Sequence, residues 1–364
     1  MKITIDKQQL LTPLAQLSKV AKSKTVEVLN GILFEADTHD LHLTAGNGTM
    51  YVNTTLSLNQ VTVNENGSVV IPAKQLFEIV RKVGDTIEIS VQDTKVTIKS
   101  GKSKFELSGL DAEMYPKQQE PSGNSISMEG SDLKRLIKNT TFACATTENM
   151  PVLTGVLFQA FKNEITATGC DRHRLSSLKV GVKGMTEPFQ ATIPASSLEA
   201  VADIVSDDEE LNIIFANNQA SFITDRATLT TILLEGSYPD TSKLMPTDYK
   251  SVVTVALRGL HDALERVGIV AKDNKAKIVK ITASGKEAEI SSANEGSKAS
   301  EAIEVSVDTG EITASFNIEY ALEALKAVDG DKVRICYNGS MNPIIFKGDD
   351  ENAVQLILPY RTTS

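Results

Sequence analysis

Val28-Leu-Asn-Gly-Ile-Leu-Phe34 recurs later in the chain as Val152-Leu-Thr-Gly-Val-Leu-Phe158, with glycine in the same place between two apolar runs. Other matches keep nearly the same spacing. Leu110-Asp-Ala-Glu-Met-Tyr-Pro116 returns as Leu233-Leu-Glu-Gly-Ser-Tyr-Pro239. Val70-Ile-Pro-Ala73 returns as Thr192-Ile-Pro-Ala195 and, more faintly, as Ser315-Phe-Asn-Ile318. Self-similarity at a period of about 120 residues means tandem copies of one domain-sized module. A chain of 364 residues exceeds one hydrophobic core and has room for three copies.

Each copy opens with a short alternating strand, at Ile3–Ile5, Ile126–Met128 and Val253–Val255. An amphipathic helix follows, carried by Leu10, Leu14 and Leu17, then by Leu133 and Ile137, then by Leu260, Leu264 and Val267. Pro13 falls inside the first of these, so that helix either starts late or is kinked. A second helix comes later in each copy, on Leu76, Ile79, Val80 and Val83, on Leu198, Val201, Ala202 and Val205, and on Ala321, Ala324, Leu325 and Val328. Alternating strands such as Thr86–Ile89, Lys95–Lys99 and Lys104–Leu107 fill the rest, separated by turn residues. The fold class expected is therefore α+β: three tandem modules of two helices against antiparallel sheets. They span residues 1–120, 125–246 and 250–364, with polar joints at Lys117–Asn124 and Met245–Lys250.

Composition is that of an ordinary globular protein, 41% hydrophobic and 23% charged, without tryptophan. Cys144, Cys170 and Cys336 are far apart and form no CxxC pair, which points to reduced thiols rather than a disulfide framework or a zinc site. The first residues alternate like a strand, and no run of about 18 apolar residues occurs, so a cytoplasmic protein without a membrane anchor is expected. The net charge of −10 argues against a general nucleic-acid binder. Basic residues nevertheless gather on and beside the helices: Lys19, Lys22, Lys24, Lys74, Arg81 and Lys82, then Lys134, Arg135 and Lys138, then Arg258, Arg266 and Lys326. One interpretation is a solvated helix face; the other is a surface that meets phosphates without reading bases. The second helix of the middle copy, with Ser196, Ser197, Glu199 and Asp203, breaks the pattern.

Thr168-Gly-Cys-Asp-Arg-His-Arg-Leu175 packs a thiol, a carboxylate, an imidazole and two guanidiniums into eight residues. A Cys170 nucleophile with His173 as base is the enzyme such a cluster suggests. On a strand, positions i and i+3 point to opposite faces, so the pair would meet only across a turn, and no glycine-rich oxyanion loop adjoins it. His39, His42 and His261 form no metal spacing with it, and no Walker A or Rossmann fingerprint occurs. No catalytic residue, metal or cofactor is expected. A protein-only scaffold of three adhesive domains remains the rival to a DNA-binding role.

Taken together, the three copies, the paired Gly-Ile-Leu-Phe and Gly-Val-Leu-Phe segments, Asp171-x-His-Arg-Leu175 and the late Leu358-Pro-Tyr-Arg361 resemble the bacterial sliding clamp, the β subunit of DNA polymerase III. The resemblance covers essentially the whole chain. It implies a head-to-tail homodimeric ring of six domains, with helices facing double-stranded DNA and a role in processivity rather than catalysis. By similarity, Phe105 and Leu107 would meet the partner's Ile269 and Val270. Lys22, Lys24, Lys74, Lys134, Arg135 and Lys138 would face DNA. A cleft for short linear motifs of the polymerase, the clamp loader and repair proteins would be walled by Leu153, Cys170, Arg172, His173, Arg174, Leu175, Pro239, Lys243 and Leu244. Leu356, Leu358, Pro359, Tyr360 and Arg361 would complete it. Three positions depart from the family pattern: Cys170 replaces a hydroxyl residue, Arg172 a small residue, and Lys243 an arginine whose planar fork it lacks.

Overall fold

The computed structural model describes the chain except residues 119–120, 148–149, 217, 242–243, 247, 273–275 and 361–364. Two helices fall in each copy: α1 (Lys7–Val20) and α2 (Ala73–Lys82), α3 (Gly130–Thr140) and α4 (Ala195–Ile204), α5 (Leu257–Ala271) and α6 (Ile318–Ala327). Helix α1 does not start late. The Asp6 carboxylate caps it by accepting the Gln8 backbone N–H at 2.8 Å. Pro13 lies within the helix and removes the N–H that would reach Gln9; the buried stripe of Leu10, Pro13, Leu14, Leu17 and Val20 holds the segment helical regardless. Each wholly buried leucine in such a stripe contributes about 1.5–3 kcal/mol.

Packing divides the chain into two compact units. The first comprises Met1–Lys134, Val182–Glu187 and Ser196–Leu233; the second comprises Arg135–Gly181, Pro188–Ala195 and the chain from Leu234 onward. The middle copy is thus shared between them, because its two half-sheets are each continuous with a neighbouring copy. In the first unit an eight-stranded antiparallel sheet contains the middle-copy strands Asn124–Glu129, Glu210–Ala216, Gln219–Ile223 and Ala227–Ile232. It continues into the first-copy strands Met50–Ser57, Asp40–Gly46, Gly31–Ala36 and Gly67–Pro72. The join is the pairing of Ala227–Thr231 with Thr54–Met50. A separate five-stranded sheet of Val61–Glu65, Lys2–Asp6, Thr86–Gln92, Lys95–Ser100 and Ser103–Ser108 completes this unit.

The second unit carries one twelve-stranded sheet. Its middle-copy half runs Phe189–Pro194, Gly155–Phe161, Glu164–Cys170, Arg174–Gly181. It joins the third copy where Arg174–Leu178 pairs with Ile357–Ala353. From there it continues through Ile344–Lys347, Lys332–Tyr337, Ser251–Ala256, Lys298–Thr309, Glu287–Ala293, Ile278–Ser284 and Ile312–Asn317. The long strand Lys298–Thr309 spans two half-sheets, pairing Glu287–Ala293 with its first part and Val252–Val255 with its last. Under this half lies a core of Leu260, Leu264, Val267, Phe316 and Phe346, the two rings meeting edge-on at 6.2 Å.

The repeated glycine has a steric cause. A Cβ on Gly31 would sit 2.4 Å from a Val70 methyl, and one on Gly155 would sit 2.6 Å from the Ile193 carbonyl and 2.7 Å from a Leu234 methyl. No other residue fits where these strands pass under their neighbours.

Candidate functional site: a peptide cleft and a basic helix surface

Strand Glu164–Cys170 turns at Asp171–His173 into strand Arg174–Gly181. One carboxylate builds this turn. Asp171 Oδ1 accepts the backbone N–H groups of His173 and Arg174, each at 2.9 Å, while Oδ2 accepts Arg174 Nε at 3.0 Å. The turn places Arg172 at φ +76°, a left-handed conformation uncommon outside glycine and asparagine. Arg174 is the buried member. Its guanidinium also bonds Glu323 of α6, lies 4.5 Å from the Tyr320 ring and 5.6 Å from the Phe142 ring, and is only about one-tenth exposed. The His173 ring stacks on the same Tyr320 ring, with centroids 6.5 Å apart.

Leu175 pairs with Leu356 across the join between the middle and third copies. Cys170, Leu175, Cys336, Ile345 and Leu356 form one buried apolar cluster, lined by the half-buried Tyr238, Met245, Tyr249, Val252 and Val354. Tyr238 donates its hydroxyl to the Thr168 carbonyl at 3.2 Å. The late segment is tied down on both sides, by Leu358 N–H to the His173 carbonyl at 2.9 Å and by Tyr360 N–H to the Ser315 carbonyl at 2.7 Å. Pro239, Leu244, Leu358 and Tyr360 are exposed and Pro359 is half-buried. The result is an apolar floor with exposed apolar rims and a few fixed polar groups, which is what anchoring a short peptide requires.

Cys170, Leu175 and Leu356 are thus brought together, with Arg172, His173 and Arg174 on the adjoining turn. Leu153 is buried in a 3-10 turn before strand Gly155–Phe161 and is not a member of this cluster. Lys243 and Arg361 lie outside the described residues. Several contributors carry no signal in the sequence. Cys336, Ile345 and Val252 read as ordinary strand residues, and only the sheet join brings them under Cys170. Tyr249 sits in the joint between copies, where Lys347 lies 5.6 Å from its ring.

The turn that could have joined Cys170 and His173 exists, yet it makes no nucleophile and base of them. The Cys170 thiol accepts the Arg172 N–H at 3.4 Å, and burial pushes its pKa up, opposite to the shift an attacking thiolate needs. Burial likewise holds Cys144 at about 12. On α5, ligand atoms of His261, Asp262 and Glu265 lie within 4.8 Å of one another, but Arg258 already stands 3.7 Å from Asp262 and supplies positive charge there.

The basic residues divide into two groups. Lys19 pairs with Asp203 of α4 at 2.7 Å and Lys134 with Asp207 at 2.6 Å. Arg135 bonds Asp350 and lies 3.7 Å from Asp329. Lys22, Lys24, Lys74 and Lys138 are exposed and make no ion pair among the described residues. These four charges remain available to an anion.

Three α+β modules of two helices each, with neighbours sharing continuous antiparallel sheets, define a clamp-type fold. Residues 1–119, 127–240 and 242–361 match, in order, the N-terminal, central and C-terminal domains of the DNA polymerase III beta subunit. A beta sliding clamp of Staphylococcus aureus is 34% identical over 376 aligned residues, covering all of both chains. The crystal structure of the Bacillus subtilis DNA polymerase sliding clamp superposes with a TM-score of 0.95 at 32% identity, over 100% of this chain and 99% of that one. The beta subunit from Streptococcus pyogenes gives 0.94 at 26% identity, with full coverage of both. The chain belongs to the DNA polymerase III beta subunit family, the sliding clamps, and is a non-catalytic processivity factor of DNA replication. Neither the hydrolase nor the protein-only scaffold survives that membership. No helix among the described residues is long and apolar enough to cross a membrane.

Proposed function

We propose that two copies of this chain close head to tail into a six-module ring around duplex DNA in the cytoplasm, and that the cleft holds short linear motifs of the polymerase, the clamp loader and repair proteins. One observation carries the ring: the same sheet join is made twice within the chain and is left unmade once. The middle copy's strand Ala227–Ile232 completes the first copy's sheet, and the third copy's strand Ala353–Ile357 completes the middle copy's. By the same repeat, strand Ser103–Ser108 of the first copy has no mate among the described residues, and neither has the outer edge of Lys298–Glu304 in the third. Those edges are complementary by repeat, so a second copy supplies both, and closure leaves none open.

The residues beside these edges suit an interface. Phe105 is 36% exposed and Ile269 is 72% exposed, with Leu107 and Val270 half-buried, an unusual apolar display for surface positions. Around DNA, Lys22, Lys24, Lys74 and Lys138, which make no ion pair among the described residues, give phosphate contact without base readout, which leaves the ring free to slide. Lys134 and Arg135 contribute less, because acidic partners already neutralise them.

Mass measured in solution over a range of concentrations tests the ring. Wild-type protein is expected at twice the chain mass, and Ile269→Asp at the chain mass. A dimer that survives Ile269→Asp together with Phe105→Asp would overturn the proposed contact.

A further inference from the structure

The two sheet joins inside the chain share one register, and the repeat carries it to the two edges left over. Starting from the opening strands, Ile126, Ile213, Phe222 and Leu229 form one row in the middle copy. Val253, Ile335, Phe346 and Gln355 form it in the third, and Ile3, Ile89, Ile98 and Phe105 in the first. On the other half-sheet, Val70, Leu33, Thr44 and Asn53 match Thr192, Leu157, Thr168 and Ser177, and then Ser315, Lys280, Ser291 and Ser300. One residue before the last members of these rows stand Val52, Ser176 and Ala299. Leu229 lies opposite Val52, and Gln355 opposite Ser176. The remaining member of each set is Phe105 and Ala299.

The side chains of the two edges agree with that pairing. The internal joins are hydrogen-bonded at Ile232 N–H to the Thr49 carbonyl and at Leu358 N–H to the His173 carbonyl, both at 2.9 Å. Counted from these bonds, Phe105 and Ala299 form a pair without hydrogen bonds, where Cα atoms approach to about 4.5 Å and side chains lie closest. Ala299 packs half-buried on the core of the third copy, while Lys298 and Ser300 are exposed on the outer face. Phe105 shares the face of the buried Ile98, so its phenyl group lands over Ala299 on the side covered by α5, which exposes Ile269. Ser103 then meets Glu301, a carboxylate that Arg266 of α5 already holds with two nitrogens. On the outer face Glu106 meets Lys298. Glu106 takes Lys95 at 2.8 Å and Lys104 at 2.7 Å, which hold its carboxyl at about 2. Lys298 makes no ion pair among the described residues. A slip of one residue would turn Phe105 to the outer face, and a slip of two would set it against Glu301 or Ser297.

We infer that two copies of this chain join in a single register, with Phe105 opposite the partner's Ala299, Lys104 opposite the partner's Ser300, and Glu106 opposite the partner's Lys298 as the charged pair that fixes it. The inference rests on the two-copy ring proposed above and adds which residues meet. The Glu106 carboxylate has about four lone-pair sites and so accepts a third ammonium beside Lys95 and Lys104. At the same position the internal joins carry uncharged pairs, Tyr51 with Thr230 and Leu175 with Leu356. The charged pair thus marks the join between chains and distinguishes it from the joins within one. Being exposed, it is screened by salt, which the internal joins are not.

Cross-linking of the full-length protein reads the register. Lys104→Cys with Ser300→Cys places two thiols on strands whose Cα atoms lie about 5.5 Å apart, a span that a disulfide bridges. Mild oxidation should give a covalent dimer on a non-reducing denaturing gel. Lys104→Cys with Ala302→Cys, a diagonal pair about 7–8 Å apart, should stay uncross-linked. The native thiols at Cys144, Cys170 and Cys336 are buried and do not compete. Glu106→Lys should raise the dimer Kd at least about tenfold at low salt, summed over two joins, and Lys298→Glu in the same chain should restore most of that loss. A dimer that cross-links at 302 in preference to 300, or a Glu106→Lys defect that Lys298→Glu leaves unrelieved, overturns the register while leaving the ring. Wild-type protein that stays at the chain mass at every concentration overturns the ring and the register together.

Discussion

Arg174→Met removes the hub of the cleft turn while conserving most of its volume. The substitution leaves the Asp171 carboxylate, about 12% exposed, with its two backbone N–H partners and no cation. Breaking a buried ion pair from one side costs about 3–5 kcal/mol. Two lost cation–π contacts, at 4.5 and 5.6 Å, add about 0.5–1 kcal/mol each. The bond to Glu323 adds little, because that carboxylate is 44% exposed. Methionine recovers part of this through apolar contact with Phe142 and Tyr320, leaving a net loss of about 3 kcal/mol. At about 2–4 °C per kcal/mol for a unit of this size, the second unit's transition should fall by about 6–12 °C. The chain has no tryptophan, so far-ultraviolet circular dichroism is the readout. Asp171→Asn, which keeps an acceptor for the backbone, should cost about half as much, and the double variant should cost less than the sum of the two. An Arg174→Met protein melting within about 1 °C of wild type would refute the hub.

Other consequences follow from the same geometry. Arg172→Gly relieves a left-handed arginine and should stabilise the protein by about 0.5–1 kcal/mol in urea titration; a destabilisation would mean that the side chain packs. Burial raises the Cys144, Cys170 and Cys336 thiols. Their stabilising effect is therefore complete below the ordinary thiol range near 9 and is lost as pH climbs towards the raised values, about 12 for Cys144. Melting temperature should accordingly fall steadily above about pH 9, and native protein should resist thiol reagents at pH 8. Removing Leu358–Ser364 should abolish binding of a polymerase-derived motif peptide while leaving the dimer intact; unchanged peptide affinity would exclude the segment from the cleft. Neutralising Lys74 and Lys138 should lower the salt slope of DNA association by about one per lost phosphate contact.

Much of the fold is legible in the sequence because it is written more than once. The Gly31 and Gly155 motifs mark the same crowded crossing, and the leucine stripes of α1, α3 and α5 mark the same buried helix. The shared sheets are not legible, since backbone pairing between Ala227–Thr231 and Thr54–Met50 leaves no pattern in either segment. The same limit applies to the cleft. The polar turn Asp171–Arg174 stands out because its counterparts, the turns opened by Asn47 and Asn294, carry neither histidine nor arginine. Cys336 and Ile345, two of the five floor residues, are anonymous strand residues until Leu175 meets Leu356. Charge was misleading in part: Lys134 and Arg135 look as free in the sequence as Lys138, and carboxylates distant in the chain claim them.

The ring around DNA is tested most directly by topology. After loading onto DNA, the protein should remain on closed circular duplex through a high-salt wash and be lost when the same circle is cut once. Equal retention on both forms, or none on either, would contradict it.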